Sequence, residues 1–243
     1  MVKVLGFILL LAQYAAAAPL SVAVASNAKY AFDAVAVEFK KDSGIEVVGI
    51  FGSAGKLAAQ INSGAPFDVF VSADTEYPDA LYREGMALTR PRVYAHGVLV
   101  LWTLKDWTLS VSMLAAPSVQ KIAIANPRLA PYGRAAMQAL ESASSAVVQK
   151  LVYGESIAQT AQFVYSGAAD LGFIAKSLLY APEMVGKGKW IAVPASSYAP
   201  IAQAAVVLKH AAQTDPEAAH KFVDYLFGSK ARDIFVRYGY TLP

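Results

Sequence analysis

Apolar residues recur along this chain in two rhythms: short unbroken runs, and stretches in which they return every three or four positions. The runs at 21–25, 45–51, 67–71, 98–101, 121–125, 151–153, 170–174, 190–193 and 204–208 are rich in Val, Ile, Phe and Ala. Runs of that length and character predict strands, several of them buried on both faces. Between them lie helical spacings. Over 28–41 the residues Ala28, Ala31, Phe32, Val35 and Phe39 fall on one stripe, and further helices are expected over 57–62, 75–84, 131–142, 156–165, 215–227 and 229–238. Gly64, Gly85, Gly167 and Gly239 follow four of these segments, where a left-handed residue ends a helix. Strands alternating with helices predict an α/β fold with mainly parallel sheets flanked by helices.

Three strand-to-helix joints are rich in small or hydroxyl-bearing residues: Ala25-Ser26-Asn27-Ala28, Gly52-Ser53-Ala54-Gly55-Lys56 and Ala130-Pro131-Tyr132-Gly133. A helix start leaves backbone N–H groups unpaired, with positive dipole density beside them. Several starts brought together hold an anion without any charged side chain. The second joint superficially matches a nucleotide phosphate loop. Ile50 stands where that motif needs glycine and Leu57 where it needs Ser or Thr, so the nucleotide reading fails. Tyr132, between Pro131 and Gly133, is expected to face a ligand rather than the core.

Gly154-Glu155-Ser156-Ile157-Ala158 approaches a nucleophile elbow, with His210 and His220 following it in the chain. A Ser hydrolase built on Ser156 is therefore one reading, and Ser156 as the cap of a helix is the other. His96, His210 and His220 show no metal-ligand spacing, so no metal site is expected.

The ends and composition narrow the choice. Lys3, the apolar stretch 4–12 and the small residues Ala15 to Ala18 have the layout of a secretory signal, with cleavage expected after Ala17. The apolar stretch is shorter than the roughly 20 residues a membrane span needs. The chain has no cysteine, which excludes disulfides, thiolate chemistry and the lipid attachment of a lipoprotein. A soluble periplasmic protein is expected. The formal net charge is +3, with lysine and arginine scattered, which argues against nucleic-acid binding. About 225 residues remain after cleavage, enough for one large core or two modest ones.

Further motifs, in order, carry a resemblance: Gly52-Ser53-Ala54-Gly55-Lys56-Leu57, the stretch from Gly64 to Asp74, Ile124-Ala125-Asn126-Pro127 with Ala130-Pro131-Tyr132-Gly133, the stretch from Ser166 to Phe173, and the terminal Arg237-Tyr238-Gly239-Tyr240. Together these resemble the periplasmic molybdate-binding proteins of ABC importers, over essentially the whole mature chain. The resemblance implies a two-lobed periplasmic-binding-protein fold: residues 18–101 plus 202–243 as one lobe, 102–201 as the other, and two crossover strands between them. It implies molybdate or tungstate as ligand, no cofactor, no catalysis, an inner-membrane ABC permease as partner, and a monomer. Carried over by position, the ligand set is Ser26, Asn27, Ser53, Ala54, Tyr132 and the backbone N–H of Ile157. Two departures stand out. Ala54 replaces a serine common at that position, leaving only its N–H, with Ser53 or a water to supply the missing donor. Ala175 replaces a tyrosine that some relatives use, and Tyr132 is expected to serve instead. Receptors for sulfate or phosphate are the alternative within the same fold.

Overall fold

Parallel strands that end at a common edge organise the first of two lobes. The computed structural model describes residues 18–243, so the signal expected over 1–17 lies outside the described residues. The chain runs β1 (Leu20–Ala25), a 3-10 turn (Ser26–Ala28), α1 (Lys29–Ser43), β2 (Val47–Gly52), α2 (Ala54–Asn62), β3 (Val69–Ser72), α3 (Glu76–Arg83) and β4 (Arg92–Gly97). It then crosses to β5 (Leu99–Thr103), β6 (Ile122–Ala125), α4 (Pro131–Ala139), α5 (Ser145–Val148), β7 (Leu151–Gly154), α6 (Ile157–Tyr165), β8 (Leu171–Ala175) and β9 (Lys189–Ala192). It returns through β10 (Ile201–Val207), α7 (Pro216–Tyr225) and α8 (Ser229–Arg237).

Each lobe is built on a five-stranded sheet, ordered β2-β1-β3-β10-β4 in the first and β7-β6-β8-β5-β9 in the second. β1 pairs in parallel with β2 and β3, and β6 in parallel with β7 and β8. Only β10 and β5 run against their neighbours. The reason is topological. Both strands enter from the opposite lobe, so each starts at the edge where its parallel neighbours end. The carboxyl ends of the parallel strands therefore face each other across the gap between lobes, where ligands of open α/β sheets bind.

The expected boundary places 98–101 in the first lobe, yet β5 pairs only with β8 and β9. The crossover thus lies at Val98, just after Gly97, and the expected boundary after Leu101 falls inside a strand of the second sheet. The return crossover precedes Ile201, one residue before the expected boundary. β4 has no counterpart among the expected strands, because Arg92 and His96 break its apolar run. Its register with β10 shifts between Gln203 and Ala204, leaving Tyr94 as the bulged residue between Val93 and Ala95.

Burial explains how the layers hold together. Phe32, Phe39 and Phe222 meet edge to face, with Phe39 and Phe222 centroids 5.1 Å apart, and seal α1 and α7 onto the outer face of the first sheet. A second cluster continues from Leu57 and Phe70 through Tyr132 to Trp102 and Phe173, so the two lobes share apolar contact. Among the described residues no helix is long and apolar enough to cross a membrane.

Candidate functional site

The turn Ser26–Ala28 and the helices α2, α4 and α6 all begin at strand ends that face the gap between lobes. The local sequence makes each start possible. Ala130 is extended and Pro131 occupies the first turn of α4, where a missing N–H costs nothing. Ser53 is extended before α2. Ser156 is extended before α6, and its hydroxyl accepts from the Gln159 N–H at 3.2 Å. That settles one sequence alternative in favour of the cap. His210 and His220 sit in the first lobe, in the turn Lys209–Gln213 and in α7, and among the described residues neither hydrogen-bonds to Ser156.

All six residues of the expected ligand set lie at these starts and all are buried: Ser26, Asn27, Ser53, Ala54, Tyr132 and Ile157. The Ser26 Oγ, Ser53 Oγ and Tyr132 hydroxyl are enclosed without any hydrogen-bond partner, as are Asn27 Oδ1 and the Tyr94 hydroxyl. Buried polar atoms are almost always paired, and leaving one unpaired costs about 1–3 kcal/mol. Three of these orphaned hydroxyls, on Ser26, Ser53 and Tyr132, stand at helix or turn starts on the gap with an unused donor hydrogen. Burial pushes the Tyr132 phenol well above its ordinary range, and Tyr240, Tyr94 and Tyr198 push it further. Asn27 draws it back in part without making a hydrogen bond of ordinary geometry. Tyr132 therefore stays protonated, a donor at any physiological pH.

Asn27 contributes differently from the serines. Its Nδ2 donates to Gln203 Oε1 and to the Tyr240 hydroxyl, both at 2.8 Å, so both amide hydrogens are spent. Gln203 is itself oriented, because its Nε2 donates to the Ile201 carbonyl at 3.1 Å and the Ala73 carbonyl at 3.3 Å. The Asn27 carbonyl accepts from Ser177 Oγ at 2.8 Å and from the Tyr240 hydroxyl at 3.0 Å. This network fixes the Ser26–Ala28 turn in place and leaves the Asn27 side chain no amide hydrogen to donate to a ligand. Sequence reasoning missed Gln203 and Ser177. The signal for Gln203 was a lone amide in the apolar run of β10. Tyr240 stands in the terminal Arg237-Tyr238-Gly239-Tyr240 motif, which carries the resemblance without indicating a role for it.

The lobes are closed on one another. The Gly55 N–H donates across the gap to the Leu129 carbonyl at 2.9 Å, and the Tyr77 hydroxyl to the Arg128 carbonyl at 3.0 Å. A Cβ at Gly55 would lie 3.1 Å from the Leu129 Cα of the other lobe, so glycine there permits the approach. At the crossover, a Cβ on Gly97 would lie 2.0 Å from the Tyr132 hydroxyl. Arg134 reaches from α4 to Asp74 and, at 3.2 Å, to Glu76. Burial raises the Asp74 carboxyl above its usual range, and Arg134 and then Ser72 pull it back. Among the described residues no group of acidic, histidine or cysteine side chains is arranged to hold a metal cation.

Chemically, this is an enclosure of hydroxyl and backbone donors at helix N-termini, with no carboxylate among the six residues. Known proteins of similar sequence and fold identify the family. The Azotobacter vinelandii molybdate-binding protein ModA is 42% identical over 238 residues, covering 96% of this chain and 94% of its own. The Rhodobacter capsulatus molybdate-binding protein ModA is 35% identical, covering 98% of this chain and 94% of its own. The solved periplasmic molybdate-binding protein of Azotobacter vinelandii superposes with a TM-score of 0.85 at 37% identity, over 92% of this chain and 99% of that one. The sulfate-binding protein SubI of Mycobacterium tuberculosis shares the fold, with a TM-score of 0.77 at 14% identity. The family described as bacterial extracellular solute-binding protein matches residues 20–241, nearly the whole described chain, and this protein belongs to it.

Proposed function

We propose that this protein is the periplasmic receptor of an ABC importer, which holds molybdate or tungstate between its lobes and passes it to a membrane permease. The observation that carries the reading is the set of buried, unpartnered hydroxyls of Ser26, Ser53 and Tyr132 at converging helix starts. Molybdate at neutral pH is a dianion whose oxygens only accept, so donors alone suit it. The binding named for the Azotobacter and Rhodobacter relatives supports the same ligand. In this reading Ser26 and Ser53 donate from the first lobe, together with the Ala54 N–H, while Tyr132 and the Ile157 N–H donate from the second. Asn27 acts through its backbone. Ser53, with its hydroxyl free, supplies the donor that Ala54 lacks. Hydrogen bonds to a charged group contribute roughly 1.5–3 kcal/mol each. Several of them reach nanomolar affinity, about −12 kcal/mol, after the cost of association.

The reading is tested by calorimetric titration of ligand-free protein with molybdate, tungstate, sulfate and phosphate. Tight binding of the first two and weak binding of the others is expected. Equal affinity for all of them, or tighter binding of sulfate, overturns the assignment. No turnover is expected, and Ser156→Ala, which removes the cap of α6 but none of the six residues of the ligand set, should still bind molybdate.

A further inference from the structure

Two ion-pair groups bridge the rim of the gap, and their arrangement is reciprocal. Lys56 of α2 reaches from the first lobe to Glu155 of the second, 2.8 Å away. Arg134 of α4 reaches from the second lobe to Asp74 and Glu76 of the first. Each lobe thus offers acid and base, and each acid is neutralised by the opposite lobe. The acids also lie close to the site in sequence. Glu155 immediately precedes Ser156 and Ile157 at the start of α6, and Asp74 follows β3 at the edge facing the gap. Asp74 is buried. Lys56 is the lysine of the abandoned phosphate-loop motif, and the ligand set gives it no role.

We propose that Lys56 and Arg134 are positioning residues that couple lobe closure to charge neutralisation at the mouth of the site. With the lobes together, the carboxylates beside the anion are paired. With the lobes apart, Glu155, Asp74 and Glu76 lose their cross-lobe partners and face the departing dianion as bare negative charges. Closure therefore strengthens retention and opening favours release, although neither cation touches the ligand. The two groups differ in weight. Lys56 and Glu155 have half-exposed side chains, a setting in which an ion pair contributes little. Arg134 meets a carboxylate that is only 12% exposed, and its guanidinium also lies over the Tyr77 ring, 5.4 Å from the centroid. Loss of Arg134 leaves that carboxylate buried and unpaired, the costlier situation.

This inference rests on the anion-receptor reading, and the experiment separates their failures. Molybdate affinity and dissociation rate are measured for the parent and for Lys56→Glu, Glu155→Lys, the Lys56→Glu/Glu155→Lys double variant and Arg134→Met. The melting temperature of each ligand-free variant monitors folding. A parent that does not bind molybdate sinks the receptor reading itself. With a binding parent, Lys56→Glu is expected to release molybdate roughly two- to fivefold faster, while Glu155→Lys, which breaks the pair but also removes the repelling carboxylate, should change release by less than Lys56→Glu does. Arg134→Met should release it roughly tenfold faster or more. The double variant should return to within about twofold of the parent, because the exchanged charges still pair. Parent-like release from Lys56→Glu overturns the latch. So does a double variant as weakened as Lys56→Glu, since the pair would then not be what closure uses.

Discussion

Replacing Tyr132 by Phe tests the site at its most specific point. The side chain is 1% exposed, its ring belongs to the cluster joining the lobes, and its hydroxyl has no partner. Phe keeps the ring and removes only the donor. In the ligand-free protein nothing is lost, because the hydroxyl has no partner in the protein to forfeit. The melting temperature without ligand should therefore hold or rise. With molybdate present, the variant forfeits one hydrogen bond to a charged oxygen, about 1.5–3 kcal/mol, or roughly 10- to 150-fold in affinity. Stability and affinity should thus move independently, a signature that simple loss of packing does not produce. Calorimetry gives the affinity and a thermal melt gives the stability. If Tyr132→Phe binds molybdate as tightly as the parent, the hydroxyl is only a packed phenol and the second-lobe assignment is wrong.

Ala54→Ser should leave molybdate affinity equal or tighter in calorimetry, since the start of α2 faces the gap, and clear weakening would place that joint away from the anion. Gly97→Ala should weaken binding severely while leaving secondary structure intact by circular dichroism, because its Cβ would lie 2.0 Å from the Tyr132 hydroxyl and hold the lobes apart. Saturating molybdate should reduce the radius of gyration in solution scattering, as hinge closure requires, and an unchanged radius counts against closure on binding. At Asp170, burial pushes the carboxyl up, but Lys105 and the N–H groups of Lys121 and Gln120 outweigh it and hold the pKa below the usual carboxylate range. A lowered native pKa gives stability present above the unfolded pKa and lost as pH falls through the native one. Asp170→Asn should accordingly lower the melting temperature at neutral pH and converge with the parent in strong acid.

The strands and helices that read most easily from sequence are those whose burial is one-sided or complete. The stripe Ala31, Phe32, Val35 and Phe39 is buried in α1 as its spacing requires, and the apolar run of β3 is wholly enclosed. β4 was illegible because it belongs to a sheet edge, where exposed Arg92 and half-buried His96 are tolerated. The first lobe's boundary was misplaced for a related reason: nothing in an apolar run says which sheet it joins, and that choice depends on pairing with β8 and β9. α2 begins at Ala54 rather than Leu57, since Ala54, Gly55 and Lys56 look like a turn until Ser53 is seen extended ahead of them. The helix starts of the site were legible because small and hydroxyl residues between an apolar run and a helical stripe mark a strand-to-helix joint. The Gln203–Asn27–Tyr240 network was not, because its members lie 176 and 213 positions apart in pairs and only the fold brings them together.

The strand order sets a schedule for synthesis. β10 lies between β3 and β4 in the first sheet, so that sheet has a vacancy at an interior position until residue 201 and its successors have been made. The second lobe is a single uninterrupted stretch, from β5 to β9, and needs nothing from either end of the chain. It can therefore condense while the first lobe still waits for its interior strand and for α7 and α8. Because Tyr240 clamps Asn27, the site itself is among the last things completed. In the proposed reading, a growing chain has no competent anion cradle until Tyr240 has been made, and an unfinished product does not sequester the ligand.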